Sequence, residues 1–192
     1  MTPYYVSRWH LNQIIKLLKC GGVVACPTET VWGLGCLPKE QQAVQRILQL
    51  KVRAASKGLI LLASQPEQIK LWTRGLDDHD LTQIAARKAH PTTYILPASN
   101  AAPAWITGGR DTIAIRMTTH PFVQALCDQL GLIVSTSANR SGKAVARNRL
   151  QCLQWFGRGL DAIVPGKSAS EMDAGPVAPS HIIDWQSGER IR

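Results

Sequence analysis

Acidic residues are in short supply in this chain: 13 Asp and Glu stand against 22 Lys and Arg, a formal charge of +9 over 192 residues. So large a basic excess argues for an anionic partner. RNA or a nucleotide is favoured over lipid, because no basic amphipathic helix carries an aromatic face. Long hydrophobic runs are missing too. No window approaches the roughly 18 uninterrupted apolar residues of a membrane span. The opening MTPYYVSRWHLNQIIKLLK has no basic region followed by an apolar run and a small-residue cleavage site. A cytoplasmic protein with no membrane role is expected. Cysteines are few and badly spaced: Cys20, Cys26, Cys36, Cys127 and Cys152 are odd in number and none forms C-x-x-C. Reduced thiols are expected, not a disulfide frame or a zinc site.

The common catalytic signatures are also absent. Gly166-Lys167-Ser168 ends like a P-loop, but Asp161 stands where the first glycine must be. Gly33-Leu34-Gly35 begins like a dinucleotide fingerprint, but Pro38 occupies its third glycine position. There is no H-E-x-x-H, no G-x-S-x-G and no carboxylate cluster with metal spacing. His10, His79, His90, His120 and His181 are scattered, and each reads as a surface or capping residue.

What is present is an ordinary globular mixture, 45% apolar and 18% charged, long enough for one domain over residues 1–192 with a real core. Helical spacing recurs at 8–20, 39–50, 66–72, 78–89, 121–130 and 149–156, and buried-strand patterns at VVAC, GLILLA, TTYILPA, TIAIRM, LIVST, DAIV, SHIIDW and ERIR. Strands alternating with helices predict a single-domain mixed α/β sheet with flanking helices. The stretches 99–111 and 165–179 read as long loops.

Polar residues gather where these strands end. VVAC runs into Pro27-Thr28-Glu29-Thr30, TIAIRM carries Arg116, LIVST runs into Ser135-Thr136-Ser137-Ala138-Asn139, and Ser180 opens SHIIDW. Lys51, Arg53 and Lys57 lie between a helix and the GLILLA strand. In α/β sheets ligands collect at strand ends, so these groups are expected to face one crevice. Arg116, on an otherwise apolar strand, calls for an anionic partner. Cations, hydroxyls and an amide without a nucleophile–base pair suit phosphoryl or nucleotidyl transfer between two bound substrates. Each motif has a plainer reading as well: strand-end hydroxyls cap turns, and basic residues favour helix C-termini.

PTETVWGLG, KVR…KGLILLA, AIRM…HP and STSANRSG, in that order and spacing, resemble the YrdC/TsaC family of threonylcarbamoyl-AMP synthases, in its short bacterial form. The resemblance runs from about residue 8 to the C-terminus. It implies a twisted YrdC-like sheet with a positively charged concave face. It also implies a reaction in which L-threonine, bicarbonate and ATP, with Mg2+, give threonylcarbamoyl-AMP and pyrophosphate. A separate transferase complex would then place the threonylcarbamoyl group on the adenosine beside the anticodon of tRNA. By motif position, Thr30, Arg116 and Ser180 would hold threonine. Lys51 and Arg53 would be catalytic and, with Lys57, face the ATP phosphates. Thr93, Ser137, Asn139, Arg147 (or Asn148) and Arg192 would meet the nucleotide. No metal is expected to be bound by the protein itself. Gly33 and Gly35 are expected to let backbone approach the ligand closely.

Departures from the family pattern stand at Ala89-His90-Pro91-Thr92-Thr93, where only Pro91 and Thr93 match, and at Leu62, where some members have a threonine-contacting histidine. The alternative reading is a non-catalytic protein gripping double-stranded RNA or tRNA by its basic face, with Arg140, Lys143, Arg147 and Arg149 as candidates. Charge serves both readings equally; an RNA binder would have no use for a threonine-sized pocket.

Overall fold

Ser7 opens the first helix by accepting the His10 N–H on its hydroxyl. The computed structural model describes residues 7–168 and 179–192. From α1 (Arg8–Lys19) the chain passes through β1 (Val24–Cys26), β2 (Gly33–Gly35), α2 (Gln41–Lys51), β3 (Ile60–Ala63) and α3 (Asp78–Ala85). It continues through β4 (Thr92–Pro97), α4 (Ala104–Thr107), β5 (Thr112–Met117), α5 (Pro121–Leu130), β6 (Ile133–Ser137), α6 (Arg149–Phe156), β7 (Ala162–Ile163) and β8 (His181–Asp184). None of the described helices is long and apolar enough to cross a membrane.

The eight strands form one mixed sheet in the order β7-β1-β2-β6-β3-β5-β4-β8. Pairing is parallel for β1/β7, β3/β5 and β4/β8 and antiparallel for the rest. One face packs α2, α3, α4 and α6 through Val44, Ile47, Leu81, Ile84, Ile106 and Phe156 onto Leu34, Leu61, Leu96, Ile113 and Ile115. The other face carries α1 and α5, whose Ile14, Leu18, Phe122 and Leu126 cover Val24, Cys26, Leu62 and Ile133.

Register then decides what this second pair of helices leaves uncovered. Across the sheet, Ile133, Leu62, Arg116, Thr93 and Ile182 form one transverse row, and paired residues share a face. The apolar cluster takes the first two; Arg116 is the next residue along. Leu62, at the position of the family's histidine, is buried against α5, where its carbonyl accepts from the Cys127 thiol.

Several elements differ from their sequence pattern. Gly33–Gly35, which no strand pattern marks, is a strand. A Cβ on Gly33 would meet Ser135 Oγ at 3.1 Å, and one on Gly35 would meet the Val134 carbonyl at 2.9 Å. The approach of β6 therefore favours glycine at both positions; Gly33 also lines the crevice described below, as expected of a ligand-facing glycine, whereas Gly35 does not. A short helix, α4, occupies the expected loop 99–111, and the 66–72 pattern yields only a 3-10 turn, Pro66–Ile69. The 78–89 pattern ends at Ala85 because Ala86 takes extended backbone. ERIR contributes an isolated bridge, Ile183 with Arg190, and no strand. The expected loop at 165–179 lies largely outside the described residues.

Candidate functional site

The PTET turn shows why a buried strand ends in hydroxyls. After β1, Thr28 Oγ1 donates to the Val31 carbonyl at 2.8 Å and accepts the Thr30 N–H at 3.1 Å, while the two hydroxyls lie 3.0 Å apart. This fixes a tight turn whose Thr28 and Thr30 line a crevice of about 290 Å³. The same crevice is lined by Arg53, Arg116, Ser135, Thr136, Ser137, Ser180 and Arg192, with Val31, Leu59, Ile60, Val145 and Pro179 as its apolar wall. Six of the residues singled out in the sequence thus meet there: Thr30, Arg53, Arg116, Ser137, Ser180 and Arg192.

A second cavity, about 390 Å³, shares Arg53, Leu59, Ile60 and Arg192 with the crevice and adds Lys57 and Arg110. It is the continuation of one groove. Its cations crowd each other. The Arg53 pKa is lowered by burial and by the charges of Arg110 and Arg192, and the Arg192 pKa is lowered by burial and by Arg116. Like charges held together in a concave wall make a site suited to a polyanion. Local backbone aims them. Val52, the cap of α2, takes left-handed backbone at φ 50, costly for a β-branched side chain. That turn closes with Arg53 N–H on the Leu48 carbonyl at 3.0 Å. Arg53 Nη2 then donates to the Gly58 carbonyl at 3.1 Å. Arg192 donates from Nη2 to the Ser180 carbonyl at 3.2 Å.

Five other expected contacts are absent from the crevice. Lys51 is buried, 2% exposed, and its Nζ donates to the Ser137 carbonyl, the Asn139 carbonyl (2.8 Å) and Asn139 Oδ1 (3.1 Å). Three acceptors saturate an ammonium, which leaves none of its protons for a phosphate. Burial, and then the charge of Arg53, lowers its pKa to about 8. Asn139 is likewise engaged: Oδ1 accepts from Ser137 Oγ at 2.7 Å and Nδ2 donates to the Lys143 carbonyl at 2.7 Å. Thr93 is fully buried under Ser180, the two hydroxyls 3.0 Å apart. Arg147 is exposed at the start of the α6 approach, and Asn148 caps α6 by accepting the Gln151 N–H at 2.9 Å. Lys57 belongs to the adjoining cavity.

Two groups escaped sequence reasoning. Arg110 follows Gly108-Gly109, both at positive φ, and the tight packing of Gly108 against Ser56 and Gly58 brings that loop onto the groove; the glycine pair was the available signal. Glu29 is the second. Its Oε1 lies 2.9 Å from Arg116 Nε, with the two side chains 10% and 7% exposed. The anionic partner that Arg116 calls for is therefore supplied by the protein itself. Glu29 Oε2 also accepts from Thr118 Oγ1 at 2.8 Å. None of the five cysteines forms a disulfide, and burial pushes the Cys26, Cys36 and Cys127 thiols up to about 12, so these three are packing groups. Among the described residues no three His, Cys, Asp or Glu side chains converge as a metal site would require.

The Sua5_yciO_yrdC family model, described as "Telomere recombination", matches residues 16–191. A threonylcarbamoyl-AMP synthase of Stutzerimonas stutzeri is 41% identical over 97% of this chain and 98% of its own length. One from Halorhodospira halophila is 44% identical over 91% and 90%. Sua5 of P. abyssi, solved in complex with L-threonine, superposes with a TM-score of 0.82 at 29% identity, covering 94% of this chain and 52% of that one. The chain thus spans about half the length of that structure. E. coli YciO shares the fold, with a TM-score of 0.79 at 21% identity over 95% of this chain and 86% of that one.

Proposed function

The chain belongs to the Sua5/YciO/YrdC family, and on that premise we infer that it is an L-threonylcarbamoyl-AMP synthase, a nucleotidyltransferase acting on threonine, bicarbonate and ATP. The observation that carries this reading is the meeting in one groove of two unlike anion subsites. One centres on the buried Arg116 with the hydroxyls of Thr30 and Ser180; the other has Lys57 and Arg110 together with Arg53 and Arg192, which stand where the two cavities join. The first suits an α-amino acid with one carboxylate, and the second a triphosphate.

In the reaction so inferred, the threonine amine is carboxylated by bicarbonate with loss of water. A carbamate oxygen then bonds to the α-phosphorus of ATP as the bond to the β-phosphate oxygen breaks and pyrophosphate leaves. Arg116 pairs with the threonine carboxylate by charge-assisted hydrogen bonds, and Thr30 and Ser180 complete that subsite. Arg53 and Arg192, shared by both cavities, stand where charge builds on the leaving pyrophosphate. Ser137 meets the nucleotide. Lys51 and Asn139 hold the Ser137 strand end in place, and Thr93 holds Ser180. Magnesium would travel on the triphosphate: among the described residues the groove is lined by guanidiniums, an ammonium and hydroxyls and by no carboxylate, a donor set that does not fit a protein-held ion.

Pyrophosphate release from ATP is the direct test. It is expected only when threonine and bicarbonate are both present. Serine in place of threonine should lose about 1–3 kcal/mol of discrimination, since it lacks one methyl. Equal release without any amino acid would overturn the reading.

The recipient of the product is proposed to be a threonylcarbamoyl transferase complex acting on tRNA, and the basic excess is proposed to bind tRNA or duplex RNA. Arg140, Lys143, Arg147 and Arg149 are all exposed on the segment from the end of β6 to the start of α6. RNA binding should weaken steeply with salt and show little sequence preference. Replacing Arg140 and Lys143 with Gln should flatten the salt slope by about two counterions, roughly 0.9 per phosphate contact in duplex, with pyrophosphate release largely intact. Filter binding across a salt series measures it; an unchanged slope would remove this surface from consideration.

A further inference from the structure

Consecutive residues of the PTET turn serve different cavities. Thr28 and Thr30 line the groove, whereas Glu29, between them, lines with Thr118 a separate cavity of about 580 Å³. From there its carboxylate meets Arg116 from behind. We propose that Glu29 sorts the anions of the two substrates: by compensating Arg116 it reserves that arginine for a single carboxylate and leaves the phosphates to Arg53, Arg110 and Arg192, which have no ion-pair partner among the described residues. The proposal rests on the reading of Arg116 as the carboxylate-binding group.

Electrostatics separates the two ends of the groove. Arg110 and Arg192 act on Arg53 as like charges, and Arg192 also feels Arg116. Without a counter-charge, Arg116 would simply extend this cationic strip, and a flexible triphosphate or free pyrophosphate could lie along all of it. A carboxylate 2.9 Å from Arg116 Nε cancels much of the monopole that attracts a polyanion. It keeps the short-range directional donors that a carboxylate uses. Arg116 also lines the groove, so the arginine that meets Glu29 is the one open to a ligand there.

Glu29 is itself braced, as a positioning residue must be. Thr118 Oγ1 donates to Glu29 Oε2 at 2.8 Å and accepts the His120 N–H at 3.2 Å, while the Thr118 N–H donates to the Ala63 carbonyl at 2.8 Å. The ends of β3 and β5 and the start of α5 therefore converge on one carboxylate. Its place opposite Arg116 is set by the sheet.

The test is steady-state pyrophosphate release by Glu29→Gln, Glu29→Asp, Arg116→Ala and the double variant Glu29→Gln/Arg116→Ala, with added pyrophosphate as inhibitor. In the wild type, pyrophosphate should compete with ATP and not with threonine. Glu29→Gln should raise the threonine KM at least about tenfold, the scale of losing one partner of a close charge pair. It should change kcat less, and it should make pyrophosphate competitive with threonine. Glu29→Asp should restore the wild-type inhibition pattern. The double variant should lose the new competition, because the arginine responsible is gone. A merely structural Glu29 would lower activity without converting the inhibition pattern. Should Glu29→Gln fail to fold, Thr118→Val loosens the brace but keeps the charge; it should raise the threonine KM severalfold with no new competition. An unchanged inhibition pattern in Glu29→Gln, or an unchanged threonine KM in Thr118→Val, overturns the proposal. An unchanged threonine KM in Arg116→Ala overturns instead the reading on which it rests.

Discussion

Arg53→Ala should turn over roughly a hundred to a thousand times more slowly than the wild type at saturating threonine and ATP, the cost of removing one preorganised donor to developing charge, about 2.7–4 kcal/mol. Several observations lead to Arg53. It lines both parts of the groove. It is anchored at the Gly58 carbonyl and held by a cap turn built on a strained Val52. It also sits within a cluster of like charges that a departing pyrophosphate would relieve. Folding should be little affected, because Arg53 gives up only hydrogen bonds to the Lys57 and Gly58 carbonyls, each worth about 1 kcal/mol or less. Arg53→Lys should recover part of the rate, since a point charge replaces the charge without the planar fork. Rates at varied ATP, with circular dichroism to confirm folding, decide the matter; normal turnover by Arg53→Ala would remove it from the reaction.

Arg116→Ala should damage stability as well as threonine use. The side chains of Arg116 and Glu29 are 7% and 10% exposed, so deleting the arginine strands a buried carboxylate. Breaking such a pair from one side costs about 3–5 kcal/mol, most of it the uncompensated charge left behind. In a domain of this size each kcal/mol shifts Tm by about 2–4 °C. Replacing Glu29 with Gln in the same chain should recover much of that loss, because a neutral amide tolerates burial far better. Threonine affinity should stay low in both variants while the ATP KM remains near wild type. Thermal denaturation gives the stability order and steady-state kinetics the rest. A double variant no more stable than Arg116→Ala would mean that the carboxylate is solvated from the 580 Å³ cavity behind it.

The contrast between Lys51 and Arg53 marks the limit of motif reading. Both were expected at the phosphates, and they are two residues apart. Yet Lys51 ends α2 pointing inward to three oxygens of the Ser137–Asn139 segment, and Arg53 emerges on the groove. The left-handed Val52 between them is the cause, and no propensity assigns that conformation to a valine. Thr93 follows the same logic: its position in β4 is right, but pairing with β5 and β8 buries it beneath Ser180. The strand at Gly33–Gly35 was hidden because glycine is a poor strand former; the crowding against β6 that demands glycine exists only once the sheet is assembled.

Local periodicity and turn chemistry, which act within a few residues, were enough to determine most helices and strands, the mixed α/β class, and the gathering of polar groups at strand ends. The order of the motifs was enough to indicate the family. Three things lay beyond the sequence because they depend on contacts between distant segments: the register that sets Arg116 beside Leu62, just past the cover of α1 and α5; the Glu29 carboxylate behind it, 87 residues earlier in the chain; and the Gly108-Gly109 turn that brings Arg110 to Arg53 and Arg192. A charge in the chain carries no record of what will neutralise it. Only folding determines that Arg116 meets a carboxylate while Arg53, Arg110 and Arg192 have no ion-pair partner among the described residues, and on that difference rests the proposed division into a carboxylate subsite and a phosphate subsite.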